Sequence, residues 1–418
     1  MNKFSNKGRV AMFSKIGQDF SVSAAVAGII ALVATFSGPV LIVVQAAKAG
    51  NLSYELLSTW IWALSVGSAV LGLWLSLRYK VPVIGAWSTP GVALLMSGLT
   101  QYAFSDVIGC YVVLTIVIAV LGLSGLFSRL MAYLPAHLLS AMIAGVLFQY
   151  CAKIFHSLQA FPSVVVPVVL VYLISRRYVP RYAVAWSLIV GMLLAFTSST
   201  VPAPFAELSF VKPVMTLPTL SMDALVGLGL PLLLLALTQY ATGVGILNNA
   251  GYHLSPRVIV GTSGIVSIPL SLFGSSGINP AAIVGAICAG PECHPDLHRR
   301  YIAGVVCGIG YLCVGFLGAS VLAMFSLLPN GLTATLTGLA LLSTLVTSLA
   351  GPLSDETKRE PALITFIVTV SGMSFLGLGA ALLGLIAGAV FSIVVSWKGF
   401  GVRAERKQLP GNQIGNRT

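Results

Sequence analysis

Residues able to grip a small polar ligand gather in two short runs of this chain, Ser88-Thr89-Pro90-Gly91 and Ser275-Ser276-Gly277-Ile278-Asn279-Pro280. Each run is rich in Gly or Ser and meets a proline suited to the first turn of a helix, where its missing N–H is no loss. The apolar stretch that follows is only about ten to twelve residues long, against the roughly 20 needed to cross a bilayer. A helix start carries partial positive charge and free N–H groups, so two such starts attract an anion. Ser88, Thr89, Ser276, Gly277, Ile278 and Asn279 are therefore candidate donors to a carboxylate, by side chain or backbone. Phe36, Trp87, Tyr240 and Phe273 offer aromatic surface for a planar ring. Ser37 beside Phe36, and Gln239 deep in an apolar run, complete the candidate binding set. Each has a plainer role open to it: rings in membrane helices face lipid or core, and Gln239 can serve as an interhelical hydrogen bond.

Other chemistry is thinly supplied. Two mid-span aspartates or a His-Glu-x-x-His helix would mark an intramembrane enzyme, and neither occurs, so no catalytic residue is assigned. The run Cys293-His294-Pro295-Asp296-Leu297-His298 has metal-binding residue types, with Cys288 and Glu292 nearby. Pro295 interrupts the helical spacing, so neither a metal nor another cofactor is expected. Asp19, Glu55, Asp106 and Asp223 fall at the starts of apolar runs, where helix capping accounts for them. Glu292, Asp296, Asp355, Glu356 and Glu360 sit in polar links beside Arg299, Arg300, Lys358 and Arg359, as gate or surface ion pairs.

The elements that must position these groups are membrane spans. The chain is 57% hydrophobic and 8% charged, with a mean hydropathy of +0.96. Such values lie far outside soluble proteins. The net charge of +12 sits in short links between apolar runs, so a nucleic-acid partner is not expected and the lipid bilayer is. Six cysteines lie mostly within spans, which argues against a disulfide framework. Residues 1–19 are polar and basic and read as a cytoplasmic segment. Apolar elements fall at 20–46, 55–77, the short 82–100, 104–125, 134–155, 161–175 and 181–198. After a link at 199–221 come 222–249, 257–273, the short 275–290, 300–326, 329–351, 361–377 and 379–397. A tail at 398–418 reads as disordered and cytoplasmic.

Fourteen crossings with the N-terminus inside put 20 of the 23 Lys and Arg residues in the cytoplasm and only Lys48, Lys153 and Lys212 outside. That is a strong positive-inside bias. Residues 37–50 pair weakly with 238–251, Pro90 with Pro280, and Leu134-Pro135 with Leu328-Pro329. Seven elements per half make the second half run in the opposite sense, an inverted repeat at 20–198 and 222–397. Such repeats place substrate near the midplane, between broken helices.

The run INPAAIVGAICAGPECHPDLHRRYIAGV (278–305) resembles the hallmark region of the benzoate membrane transport family. Ser37-Gly38-Pro39, Ser88-Thr89-Pro90-Gly91 and Arg359-Glu360-Pro361-Ala362 are similar to the same family, and the likeness extends over roughly 12–398. The resemblance implies an all-α polytopic protein of the uracil-transporter-like architecture, seven plus seven inverted elements, with elements 3 and 10 each a short strand plus a half-helix. It implies a core domain of elements 1–4 and 8–11, a gate domain of elements 5–7 and 12–14, and by analogy a homodimer. It also implies symport of benzoate, a small aromatic carboxylate, with protons by a bacterial inner-membrane protein. Nucleobase transporters of that architecture carry glutamates where this chain has Gln239 and the stretch Ala282-Ile283. That departure favours a substrate bringing its own negative charge, and leaves the proton-coupling residue unassigned. The same fold moving a nucleobase or inorganic anion is the nearer alternative; a channel is the more distant one.

Overall fold

The computed structural model describes residues 17–133, 135–197, 210–318, 322, 330–373, 375 and 378–402. In lipid an apolar run must satisfy its own backbone, which a helix does. Among the described residues six helices are long and apolar enough to cross a membrane: Val22–Ala49, Tyr54–Tyr79, Phe104–Ser124, Ala136–Ala160, Met222–Asn249 and Gly331–Ser354. The first is broken at Gly38 into α1 (Val22–Ser37) and α2 (Pro39–Ala49). Pro39 has no N–H for the carbonyl four residues back, so the helix cannot run straight through. A Cβ at Gly38 would also press on Ala340, so the break lies tight against a helix from the second half.

The remaining first-half elements are α3 (Tyr54–Tyr79), β1 (Gly85–Trp87), α4 (Thr89–Gly98), α5 (Phe104–Ser124), α6 (Leu126–Tyr133), α7 (Ala136–Ala160), α8 (Pro162–Tyr178) and α9 (Ala183–Thr197). The second half holds α10 (Met222–Asn249), which contains a π-helical stretch at Leu225–Gly229, then α11 (Pro256–Ser271), β2 (Ile278–Pro280) and α12 (Ile283–Ala289). It ends with α13 (Tyr301–Phe316), α14 (Asn330–Ser354), α15 (Arg359–Val370) and α16 (Ala380–Val402).

Two packed groups result. In one, α13 lies against α3 and α1, α11 against α5, and α2 against α4. In the other, α14 lies along α7, α15 along α7 and α16, and α9 along α8. The groups touch where α14 meets α2, α9 meets α1, and α7 meets α4 and α10. Small residues allow the closest approaches: a Cβ on Gly264 would collide with the backbone of Ala119 on α5. Large apolar side chains such as Trp74, Leu173, Ile174 and Val390 stay exposed on the outer surface, as lipid-facing residues do.

Four expectations are corrected. The short helix α6 lies between elements read as directly linked. Pro280 belongs to strand β2, so the second short helix starts at Ile283 instead of at the proline. The last helix runs past Lys398 to Val402, into the segment assigned to the disordered tail; residues 403–418 lie outside the described residues. The acidic residues at span starts are not the caps: Ser53 caps α3 and Ser221 caps the start of α10, while Glu55 and Asp223 occupy the first turn, where the helix dipole favours them. Residues 210–221 also do more than link halves. Their amides bond outward from Val211 to Phe316, Val214 to Thr59, Thr216 to Leu272 and Thr219 to Ser105, strapping the ends of α13, α3, α11 and α5.

Candidate functional site

A three-residue strand cannot persist alone, so the pairing of β1 with β2 needs support from its surroundings. The two run antiparallel, with Gly85 opposite Pro280, Ala86 opposite Asn279 and Trp87 opposite Ile278, and all six residues are buried. The Ala281 amide extends the ladder to the Ile84 carbonyl at 2.8 Å. Glycine makes the seat. A Cβ at Gly85 would collide with the Ser68 carbonyl oxygen of α3, and one at Gly243 of α10 with the Pro280 carbonyl oxygen. The ribbon is wedged between two helix backbones that only hydrogen side chains permit.

Polar side chains then fix β2. Ile278 donates its N–H to Ser267 Oγ at 2.9 Å, and its carbonyl accepts the Tyr240 hydroxyl at 2.9 Å and the Ser263 hydroxyl. Tyr240 Oη and Ser263 Oγ lie 2.6 Å apart. Ile278 is thus spent as a backbone donor, a correction to its expected role. Tyr240 is corrected too. It is 2% exposed, its ring meets Phe127 edge-on at 6.3 Å, and it anchors the strand from behind instead of lining a ring pocket. Ser263 and Ser267 were not singled out from sequence, though two serines one turn apart in an apolar span are a legible signal.

The aromatic cluster forms with a different third member. Phe36 and Trp87 stand 5.7 Å apart in a T-shaped pair, and Tyr311 of α13 completes the group at 5.6 Å from Phe36 and 6.4 Å from Trp87. Phe273 lies elsewhere, edge-on to Trp62 at 5.4 Å. Phe36 remains half-buried, so this cluster keeps an open edge beside the break at Gly38. Ser37 ends α1 there; its side chain lies outside the described residues.

Ser88 and Thr89 follow β1 directly and Ser276 and Gly277 precede β2, so in the antiparallel pair these four candidate residues flank the same end of the ribbon. Gly277 has φ 100°, a turn that only glycine takes without strain. Ser88 caps α4 by accepting the Gly91 amide at 3.1 Å, and the Val92 amide bonds the Ser88 carbonyl. Pro90 has no N–H, which leaves the half-buried Thr89 with its amide and hydroxyl as the donors at this helix start. Ser275 Oγ, Ser276 Oγ and Trp87 Nε1 are buried with no hydrogen-bond partner among the described residues. Asn279 is 5% exposed, and among the described residues its side chain makes one long bond, donating Nδ2 to the Pro280 carbonyl at 3.4 Å.

The α12 start sits at the opposite end of the ribbon from the α4 start. Ala282 offers no side-chain oxygen to the first-turn amides, and beside Gly285 there is open space. Gln239 makes no side-chain hydrogen bond among the described residues, so the interhelical bond expected as its plainer role is absent. It shares a partly open stripe of α10 with Thr242, one turn on, while Tyr240 and Gly243 face β2. No group of His, Cys, Asp or Glu able to hold a metal occurs among the described residues.

The backbone has similar folds among solved membrane proteins. The transmembrane domain of a cyanobacterial bicarbonate transporter, BicA, is similar at TM-score 0.56 and 15% identity, over 88% of this chain and 96% of that one. The structure of SLC26A9 is similar at TM-score 0.58 and 16% identity over 89% of this chain, which spans only 65% of its length. Murine Slc26a9, an anion transporter in an inward-facing state, gives TM-score 0.58 at 14% identity, covering 95% of this chain and 73% of that one. Identities this low show the fold alone.

Sequence likeness narrows the class. The family model described as "Benzoate membrane transport protein" matches residues 18–394, and the chain belongs to that family of integral membrane transport proteins. It is 37% identical to the Benzoate membrane transport protein of Acinetobacter baylyi, over 90% of this chain and 96% of the relative. It is 36% identical to the inner membrane protein YdcO of Escherichia coli, over 88% of this chain and 95% of the relative.

Proposed function

We propose that this protein imports benzoate or a closely related aromatic carboxylate together with protons, by alternating access across the bacterial inner membrane with both termini cytoplasmic. The observation that carries the substrate class is the 37% identity, over nearly the whole length of both chains, to a relative named for benzoate. In this reading the helices form a seven-plus-seven inverted repeat, with β1–α4 and β2–α12 as its two discontinuous elements. The group holding the ribbon is the core domain and the group around α7 and α14 the gate, one moving against the other with substrate held at the ribbon. A homodimer is part of the reading by analogy with the architecture.

Thr89 donates to the carboxylate from the α4 start, and Ser276 and Asn279 add neutral donors. Phe36 and Trp87 face the ring, backed by Tyr311. Gln239 presents its amide from α10, and Tyr240 holds β2 in register. A carboxylate held by neutral donors is released more readily than one paired with a fixed cation, which suits a site that must let go. The fold neighbours named for bicarbonate and anion transport favour one rival, an inorganic anion as substrate. Labelled benzoate uptake should be blocked by excess unlabelled benzoate and untouched by bicarbonate, sulfate or uracil. Inhibition by bicarbonate as strong as by benzoate would hand the site to the rival.

A further inference from the structure

A cavity of about 80 Å³ lies between the two helix groups, away from the ribbon. Its walls come from the C-terminal end of α4 and the turn after it, the middle of α7, the start of α10 and the α15–α16 turn. About 10–15 Å³ holds one water, so the space takes several waters or a small planar molecule. The facing stripes are regular. Leu94, Ser97 and Gly98 follow one another at helical spacing on α4, with Gln101 in the turn just after it, and Val146, Gln149 and Tyr150 do so on α7. Lys153 is the next residue of the α7 stripe, exposed, with its ammonium 5.0 Å from the centre of the Tyr150 ring. Gln149 is turned to the gate side, donating to the Val370 carbonyl at 2.7 Å. The floor of the cavity, Leu94, is five residues along α4 from Thr89, about 7.5 Å at 1.5 Å per residue.

The combination has a definite chemistry: an aromatic wall and apolar floor, neutral amide and hydroxyl groups on the sides, and one cation at the rim. An exposed carboxylate, Asp223, stands one turn before Gly227 at the start of α10. We infer that this cavity is an outer binding site for the aromatic carboxylate, in which the Tyr150 ring takes the ring of the substrate and Lys153 its carboxylate, before passage along α4 to the ribbon. The inference rests on the proposed function and its topology, under which Lys153 is one of three basic residues outside.

The test is benzoate uptake by right-side-out membrane vesicles, with KM and kcat measured separately. Lys153→Gln is expected to raise KM about three- to fivefold at low salt with kcat unchanged, because the charge acts on capture and not on later steps. Lys153→Arg stays near wild type, Asp223→Asn shifts KM downward, and Lys212→Gln, an outside lysine away from the cavity, changes nothing. High salt should close the gap between wild type and Lys153→Gln. Equal KM in wild type and Lys153→Gln at low salt, with wild-type uptake intact, overturns the outer site and leaves the proposed function standing. Absence of wild-type benzoate uptake removes both.

Discussion

The Ile278 carbonyl is the point where the ribbon is most open to experiment. The hydroxyls of Tyr240 and Ser263, whose oxygens lie 2.6 Å apart, both reach it as donors. Interhelical side-chain hydrogen bonds in membrane proteins average about 0.6 kcal/mol and reach about 1.7. Tyr240→Phe keeps the ring against Phe127 and removes only the hydroxyl, while Ser263 still satisfies the carbonyl. The expected cost is about 1 kcal/mol, and Ser263→Ala should cost about the same. The double variant leaves a carbonyl orphaned where no described group replaces the two hydroxyls, and a buried unsatisfied group costs about 1–3 kcal/mol. Its destabilisation should therefore exceed the sum of the singles by at least about 0.5 kcal/mol. Detergent-mixture titration of the purified protein, followed by tryptophan fluorescence, measures all four species. Singles without effect, or a double variant additive within about 0.3 kcal/mol, would refute the anchoring of β2 through Tyr240.

The glycine seat makes a sharper contrast. Gly243→Ala drives a Cβ into the Pro280 carbonyl oxygen, a backbone atom that cannot swing aside, so uptake and thermal stability should both fall; Gly245→Ala, where the added carbon meets open space, should behave as wild type. A tolerated Gly243→Ala would mean the ribbon is not wedged. Where the starts of α1 and α13 meet the end of α3, Asp19 accepts Lys80 Nζ at 2.7 Å and the Tyr301 hydroxyl at 2.9 Å, and the Lys80 bond holds its carboxyl below the usual range. A depressed folded-state value stabilises above the unfolded pKa of about 3.9 and is lost as pH falls below the folded one. The melting difference between wild type and Asp19→Asn should be present at pH 7 and vanish on acidification below about 4. A difference independent of pH would deny the carboxylate that role.

Long apolar periodic runs were legible because a bilayer leaves the backbone few alternatives. The two short elements were legible for the opposite reason: Gly and Ser followed by Pro cannot extend a helix backwards, and strands at Gly85–Trp87 and Ile278–Pro280 occupy those positions. The extent of the second strand was not, since Pro280 is as compatible with an extended residue as with a first helical turn. Nor was the choice among aromatic residues. Phe36, Trp87, Tyr240 and Phe273 are equivalent in a hydropathy reading, and only packing decides that Tyr311 joins the first two while Tyr240 turns to Ile278. Capping was misassigned because an acidic residue and a serine two positions before it compete for the same helix start, and Ser53 and Ser221 take it.

The proton and the carboxylate are joined most directly in purified protein reconstituted into liposomes and given radiolabelled benzoate under an imposed pH difference, acid outside. Accumulation above the equilibrium level that collapses with a protonophore is the predicted result, and Thr89→Ala should slow it. Wild-type liposomes that fill no further than protein-free ones under the same gradient would contradict the account.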